Sequence, residues 1–138
     1  MKTVMCFGTF DILHLGHLNY FQQAKRHGDY LIVVVAQDKT KQQQKKPILF
    51  NEQERLTLLK QLKVIDEVVL GYPHNHYRII QEKKPNILCL GYDHKISPKD
   101  LQHHLAQLNL HPKIIRLKPY NPKRHKSTHL KTKILHSS

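Results

Sequence analysis

Apolar positions along the chain follow two patterns that alternate with each other. Short continuous runs occupy residues 4–7, 30–36, 67–70, 87–90 and 114–117, and each predicts a strand. The second run, Leu31-Ile32-Val33-Val34-Val35, is apolar without alternation, as a strand buried on both faces of a parallel sheet should be. Between the runs, apolar residues return at helical spacing. Leu18, Phe21 and Ala24 mark one helix, with Gly28 as its stop. Asn51 and Glu54 form a capping-box pattern ahead of Leu56, Leu59 and Leu62. Residues 77–84 predict a short helix that ends before Pro85. Ser97-Pro98 has the cap-then-proline order of a helix start and precedes Leu101, Leu105 and Leu108. A last short helix is expected near Ser127, and residues 42–46 (Gln-Gln-Gln-Lys-Lys) are expected to form a polar surface loop.

Strands alternating with helices indicate right-handed βαβ crossovers. The expected fold is α/β: a single Rossmann-like domain over residues 1–138, with a parallel five-stranded sheet and helices on both faces. Such sheets bind ligands beyond the carboxyl ends of their strands, where the strand order reverses. The 138 residues suffice for one substantial core, and the 39% hydrophobic fraction argues against wholesale disorder. No apolar run approaches a membrane span, and the amino terminus lacks a signal peptide's layout. Cys6 and Cys89 sit inside apolar runs and read as small buried hydrophobes, so a reducing cytoplasm is the expected setting.

Charge narrows the choice of partner. Lys and Arg number 23 against 10 Asp and Glu, a formal net charge of +13, which points to an anionic partner. No acidic residue follows Asp100, yet that stretch holds eight Lys and Arg and six of the 12 histidines. It could be a solvated basic tail. It also keeps a strand-like Ile114-Ile115-Arg116-Leu117 and a helix-like Leu130, Ile134 and Leu135, which a disordered tail rarely does.

The candidate chemistry lies just after the first strand, in Phe7-Gly8-Thr9-Phe10-Asp11-Ile12-Leu13-His14-Leu15-Gly16-His17. Gly8 is expected to turn the backbone tightly and allow close approach to a ligand. His14 and His17, three apart, would share a helix face, and Gly16 between them leaves space at the helix start. Backbone N–H groups there favour an anion. Paired histidines could instead bind a metal, but no Glu or Cys lies at a helpful spacing nearby, and no metal ligand is assigned. No GxxxxGK[ST] loop occurs, which argues against a Walker-type ATPase.

Gly8-Thr9-Phe10-Asp11 followed by His14-Leu15-Gly16-His17 resembles the GTFDxxHxGH signature of the cytidylyltransferase-like nucleotidyltransferases. The resemblance continues along the chain. Lys46-Pro47 with Glu54-Arg55 is similar to the family's lysine loop and arginine helix. Gly91-Tyr92-Asp93 is similar to its G-x-D turn, and Lys126-Ser127-Thr128 stands where the family carries I-S-[ST].

The resemblance implies nucleotidyl transfer: an acceptor attacks the α-phosphate of a nucleoside triphosphate and pyrophosphate leaves, with Mg²⁺ accompanying the triphosphate. It implies that His14, His17 and Lys46 are catalytic, the histidines stabilising transition-state charge and the lysine reaching a phosphate. It places Thr9 and the backbone from Gly8 to Phe10 at the α-phosphate, and Asp93 against the nucleoside, with a plain turn residue as that aspartate's alternative. Ser127 and Thr128 would hold the β- and γ-phosphates. Asp11 would orient the loop or assist acceptor and metal. Arg55 would support the lysine loop or the acceptor, unless it is a surface helix residue, and Lys126 could supply charge nearby. Related enzymes are commonly dimers, which makes a homodimer one implied arrangement.

Two sub-families compete. Glycerol-phosphate cytidylyltransferases carry R-T-x-G-I-S-[ST], where this chain reads Asn121-Pro122-Lys123-Arg124-His125-Lys126-Ser127-Thr128. His94-Lys95 follows the G-x-D turn where a tryptophan is common in the cytidylyl enzymes. The stretch from Arg116 to Thr128 looks closer to archaeal-type FAD synthases, although their cysteine pair is missing. The expected reaction is therefore adenylyl transfer from ATP to FMN, with CTP-dependent transfer to glycerol 3-phosphate or another polyol or sugar phosphate as the alternative. A basic nucleic-acid-binding module and an inactive nucleotide-binding relative remain as further readings. Tyr120 alone is a thin stacking platform for nucleic acid.

Overall fold

The computed structural model describes residues 1–43, 48–92 and 94–119. The described residues form five strands and five helices, with two successive helices between the second and third strands: β1 (Thr3–Gly8), α1 (Leu15–Lys25), β2 (Tyr30–Val35), α2 (Asp38–Gln43), α3 (Glu52–Lys60), β3 (Glu67–Leu70), α4 (Arg78–Lys83), β4 (Ile87–Leu90), α5 (Pro98–Gln107) and β5 (Lys113–Arg116). All neighbouring strands pair in parallel, in the order β3-β2-β1-β4-β5. The expected α/β fold with its parallel five-stranded sheet is thus present. The chain builds outward from β1 to β3, then returns to the other side of β1 with β4. Right-handed crossovers must then place α1 and α3 on one face and α4 and α5 on the other.

The core follows that division. Val4 and Cys6 of β1 face Phe21, Ala24, Leu56 and Leu59, whereas Met5 faces Ile79, Ile80, Leu101 and Leu105. Leu31 to Val35 of β2 are all buried, as their unbroken apolar run predicts. Cys6 and Cys89 are register partners on β1 and β4, and both thiols are free and buried.

Local chemistry sets the helix ends. Asn51 Oδ1 accepts from the Glu54 N–H at 2.8 Å, and Glu54 Oε1 accepts from the Asn51 N–H at 3.2 Å, which is the expected capping box. Ser97 accepts from the Asp100 N–H, with Pro98 opening the helix. Two expectations are corrected. Gln42 and Gln43 belong to α2 rather than to a loop, because Asp38 opens a run of good helix formers. Gly28 does not end α1 in a left-handed turn: the helix closes at Arg26 in αR. Glycine is required there because a Cβ would stand 2.5 Å from Val4 Cγ2 and 2.8 Å from the Lys2 carbonyl. The helix expected near Ser127 lies outside the described residues.

Candidate active site

The strand order reverses between β1 and β4, and the loop from β1 to α1 emerges there. β1 and β4 are in register only through Cys6 and Cys89. Beyond that rung, the Tyr20 hydroxyl stands 3.3 Å from both the Phe7 and the Cys89 carbonyl, bridging the two strands as they part.

His14 is the N-cap of α1 rather than a residue within it, and it forms an unusual capping box with His17. His14 Nδ1 accepts from the Gly16 N–H at 3.0 Å, and His17 Nδ1 accepts from the His14 N–H at 3.3 Å. The two rings lie 4.1 Å apart at 32°. With both Nδ1 lone pairs engaged by backbone donors, each neutral ring carries its proton on Nε2. Burial, and then the neighbouring His14 ring, lower the His17 pKa to about 3. His17 is therefore a neutral Nε2–H donor at ordinary pH. Both histidines line an open pocket of about 410 Å³ together with Leu13, Leu15, Leu18 and Leu62. A smaller pocket of about 230 Å³, between Lys84, Asn86, Asn109 and His111, lies before the amino ends of β4 and β5.

The residues before His14 hold this geometry. Phe10 has φ 54°, in the left-handed region, which is strained for a bulky side chain. That conformation turns its ring back under Gly8 and into the core, edge-on to His17 at 5.5 Å and 5.0 Å from Phe21. A Cβ on Gly8 would meet Phe10 Cζ at 2.5 Å. The missing Cβ of Gly8 thus makes room for a phenyl ring, and the positive φ in this turn belongs to Phe10. The Phe10 side chain is a core residue, so only its backbone can serve a ligand.

Asp11 is 1% exposed, and its carboxylate accepts the Leu49 N–H at 2.7 Å and the Phe50 N–H at 2.8 Å. Both oxygens are engaged by the segment entering α3, in keeping with the loop-orienting option. Arg55 is fully buried, which overturns the surface-residue alternative. It donates to the Phe50, Thr9 and Ala36 carbonyls at 3.2, 2.9 and 2.7 Å and pairs with Asp38 Oδ1 at 2.7 Å. Asp38 and Glu52 also exchange caps, each carboxylate accepting the other's N–H at 3.0 and 3.1 Å. Asp11, Arg55 and Asp38 together fasten both feet of the segment that carries Lys46.

The structure thus brings together Gly8, Thr9, Phe10, Asp11, His14, His17 and Arg55. Lys46, Asp93, Lys126, Ser127 and Thr128 lie outside the described residues. Two contributors escape sequence reasoning: Tyr20 and Asp38. Tyr20 carries a usable signal, because it follows His17 by three residues on one helix. Among the described residues no cluster of three His, Cys, Asp or Glu could hold a metal ion.

The sequence model of the cytidylyltransferase-like family matches residues 5–133. An FAD synthase of Thermoplasma volcanium is 40% identical over 135 residues, covering 98% of this chain and 95% of the relative. That of Thermoplasma acidophilum is 38% identical over the same shares. The crystal structure titled as the lipopolysaccharide core biosynthesis protein of Thermoplasma volcanium superposes with a TM-score of 0.85. It is 42% identical and covers 88% of this chain and 99% of its own. The family match and the FAD synthase relatives make the chain a nucleotidyltransferase, with the paired imidazoles at the switch point of its open parallel sheet. The chain belongs to the cytidylyltransferase-like family, whose members use a divalent cation with the nucleoside triphosphate. Among the described residues no helix is long and apolar enough to cross a membrane.

Proposed function

We propose that residues 1–138 form one nucleotidyltransferase domain that adenylylates FMN with ATP and Mg²⁺, yielding FAD and pyrophosphate. The similarity to the FAD synthases of the two Thermoplasma species supports this choice of substrates. The observation that carries the chemistry is the pair of Nε2–H donors set by backbone bonds at the start of α1.

A phosphate oxygen of FMN attacks the α-phosphorus of ATP, and the bond from that phosphorus to the bridging oxygen of the β-phosphate breaks. Pyrophosphate leaves with that electron pair, and no covalent enzyme intermediate is needed. Charge grows on the α-phosphoryl and leaving oxygens, so fixed donors accelerate the step by stabilising it. His14 and His17 donate there through Nε2–H, and His17, neutral at ordinary pH, does so without the cost of removing a charged imidazolium from water. The backbone of residues 8–10 completes the α-phosphate cradle, and Asp11 and Arg55 hold the frame that presents Lys46. The cation enters with ATP as part of the substrate. Asp93 is assigned to the nucleoside, Ser127 and Thr128 to the β- and γ-phosphates, and Lys126 to nearby charge. A homodimer goes with this reading, and sedimentation of the purified chain decides it.

The test pairs ATP or CTP with FMN or glycerol 3-phosphate, with Mg²⁺ present, and follows pyrophosphate and FAD. ATP with FMN is expected to give both products. Pyrophosphate from CTP and glycerol 3-phosphate, with none from ATP and FMN, overturns the assignment. His17→Ala is expected to lower turnover far more than ATP binding, because its contact strengthens in the transition state.

A further inference from the structure

We infer that Arg116, at the end of β5, is a positioning residue for the nucleotide: its guanidinium fixes the Gly91, His94 and Ile96 carbonyls after β4, where the donor's nucleoside is received. The inference rests on the nucleotidyl-transfer reading above.

Arg116 pairs in register with Leu90, so its side chain leaves the last rung of the β4–β5 ladder. From there Nη1 donates to the Gly91 and His94 carbonyls, both at 2.9 Å, and Nη2 donates to the Ile96 carbonyl at 2.7 Å. The turn closes on itself as well. His94 Nδ1 accepts from the Gly91 N–H at 3.0 Å, and the His94 N–H donates to the Gly91 carbonyl at 3.2 Å. One side chain therefore gathers three carbonyls spread over six residues, on the loop that follows β4. That loop stands across the β1–β4 crevice from the segment bearing His14 and His17.

Two consequences make this more than stitching. In a trans peptide the C=O and N–H point in opposite directions. Drawing the His94 and Ile96 carbonyls onto Arg116 therefore turns the Lys95 and Ser97 N–H groups away from it, as donors on the far side of the turn. The second consequence is electrostatic. Arg55 also gathers three carbonyls but is paired with Asp38. Arg116 gathers three carbonyls, and among the described residues no carboxylate pairs with it. Arg116 thus brings a cation to one wall of the crevice, which favours an anionic ligand. A turn already ordered spares the nucleotide the entropy of ordering it, so Arg116 should act on nucleotide affinity. The chemical step, on the opposite wall, should be spared.

The test uses the full chain with Arg116→Gln and Arg116→Lys, each first checked by thermal melting. Equilibrium binding of ATP with Mg²⁺, without acceptor, is measured beside steady-state kinetics. In both variants the dissociation constant and KM for ATP should rise about tenfold or more, with kcat within about threefold and KM for FMN unchanged. Lys should recover part of the affinity because it keeps the charge. A merely structural arginine would lower the melting temperature and the active fraction while leaving both ATP constants unmoved, and that result overturns the inference. Equal rises in KM for ATP and FMN, or failure of both variants to fold, also overturn it. Wild-type turnover of ATP with FMN is the separate control. Its absence refutes the proposed reaction, while the ATP-binding comparison still decides the role of Arg116.

Discussion

Replacing Gly8 by alanine adds one methyl group, and its consequences can be followed to the catalytic pair. The new Cβ would lie 2.5 Å from Phe10 Cζ and 2.8 Å from both Cε atoms. Carbon atoms rest at roughly 3.5–4.0 Å, so the ring must retreat by about 1 Å. It has little room to do so, since Phe21 and Tyr20 lie 5.0 and 6.3 Å away. Overpacking of this kind costs about 1–3 kcal/mol, which lowers the melting temperature of a domain this size by roughly 3–10 °C. Phe10 also supports His17 edge-on at 5.5 Å. A displacement near 1 Å passed to that imidazole should reduce turnover on the order of 100-fold. Thermal melting and pyrophosphate release measure the two effects separately. Adding Phe10→Leu to Gly8→Ala should restore part of both losses, with a coupling energy of about 1 kcal/mol or more. A Gly8→Ala protein with wild-type melting and turnover would refute the reasoning.

Arg55→Met leaves the Thr9, Ala36 and Phe50 carbonyls and the Asp38 carboxylate without their donor, so urea unfolding should show a loss of about 3–5 kcal/mol. A loss under about 1 kcal/mol contradicts the buried-hub description. Asp11→Asn sets an amide donor against a backbone N–H, at a cost of about 1–3 kcal/mol by the same measurement, and an unchanged midpoint argues against it. Because folding lowers the His17 pKa from 6.5 to about 3, the unfolded chain binds more protons between those values. Stability should therefore fall as pH drops through that window, and His17→Asn, which keeps an acceptor near Nδ1, should flatten the slope. Burial pushes the Cys89 thiol up to about 12 and the Cys6 thiol higher, so both should resist alkylation at neutral pH until the protein unfolds. Rapid native labelling would show that β1 and β4 are less enclosed than described.

Much of the fold was legible because the strands are unbroken apolar runs and the helix starts carry their own capping residues. Asn51 with Glu54, and Ser97 with Pro98, are local signals that need no tertiary context. The short α2 escaped because its sequence is polar throughout, with no apolar period to reveal it. In the site, the GTFD and HxGH segments were visible as residue types, but the reasons for them were not. That Gly8 accommodates Phe10, and that Asp11 holds Leu49 and Phe50, are contacts between atoms that sequence order does not show. The arginines illustrate the limit most clearly. Arg55 could be read as supporting or superficial, and burial decides between them. Arg116 reads in the sequence only as part of a basic stretch, because its three carbonyl partners lie 20 to 25 residues earlier in the chain.

The exchange of caps between Asp38 and Glu52 bears on how such an enzyme can change over time. Each of these residues completes the helix of the other, while Asp11 secures positions 49 and 50 from the opposite side. The described residues that flank 44–47 are thereby fixed by groups outside that segment. Closing a loop of a few more residues costs only tenths of a kcal/mol. The segment bearing Lys46 can therefore be lengthened, shortened or exchanged with little penalty to the sheet beneath it. A scaffold of this kind can change that segment while the histidine pair and its frame stay unaltered.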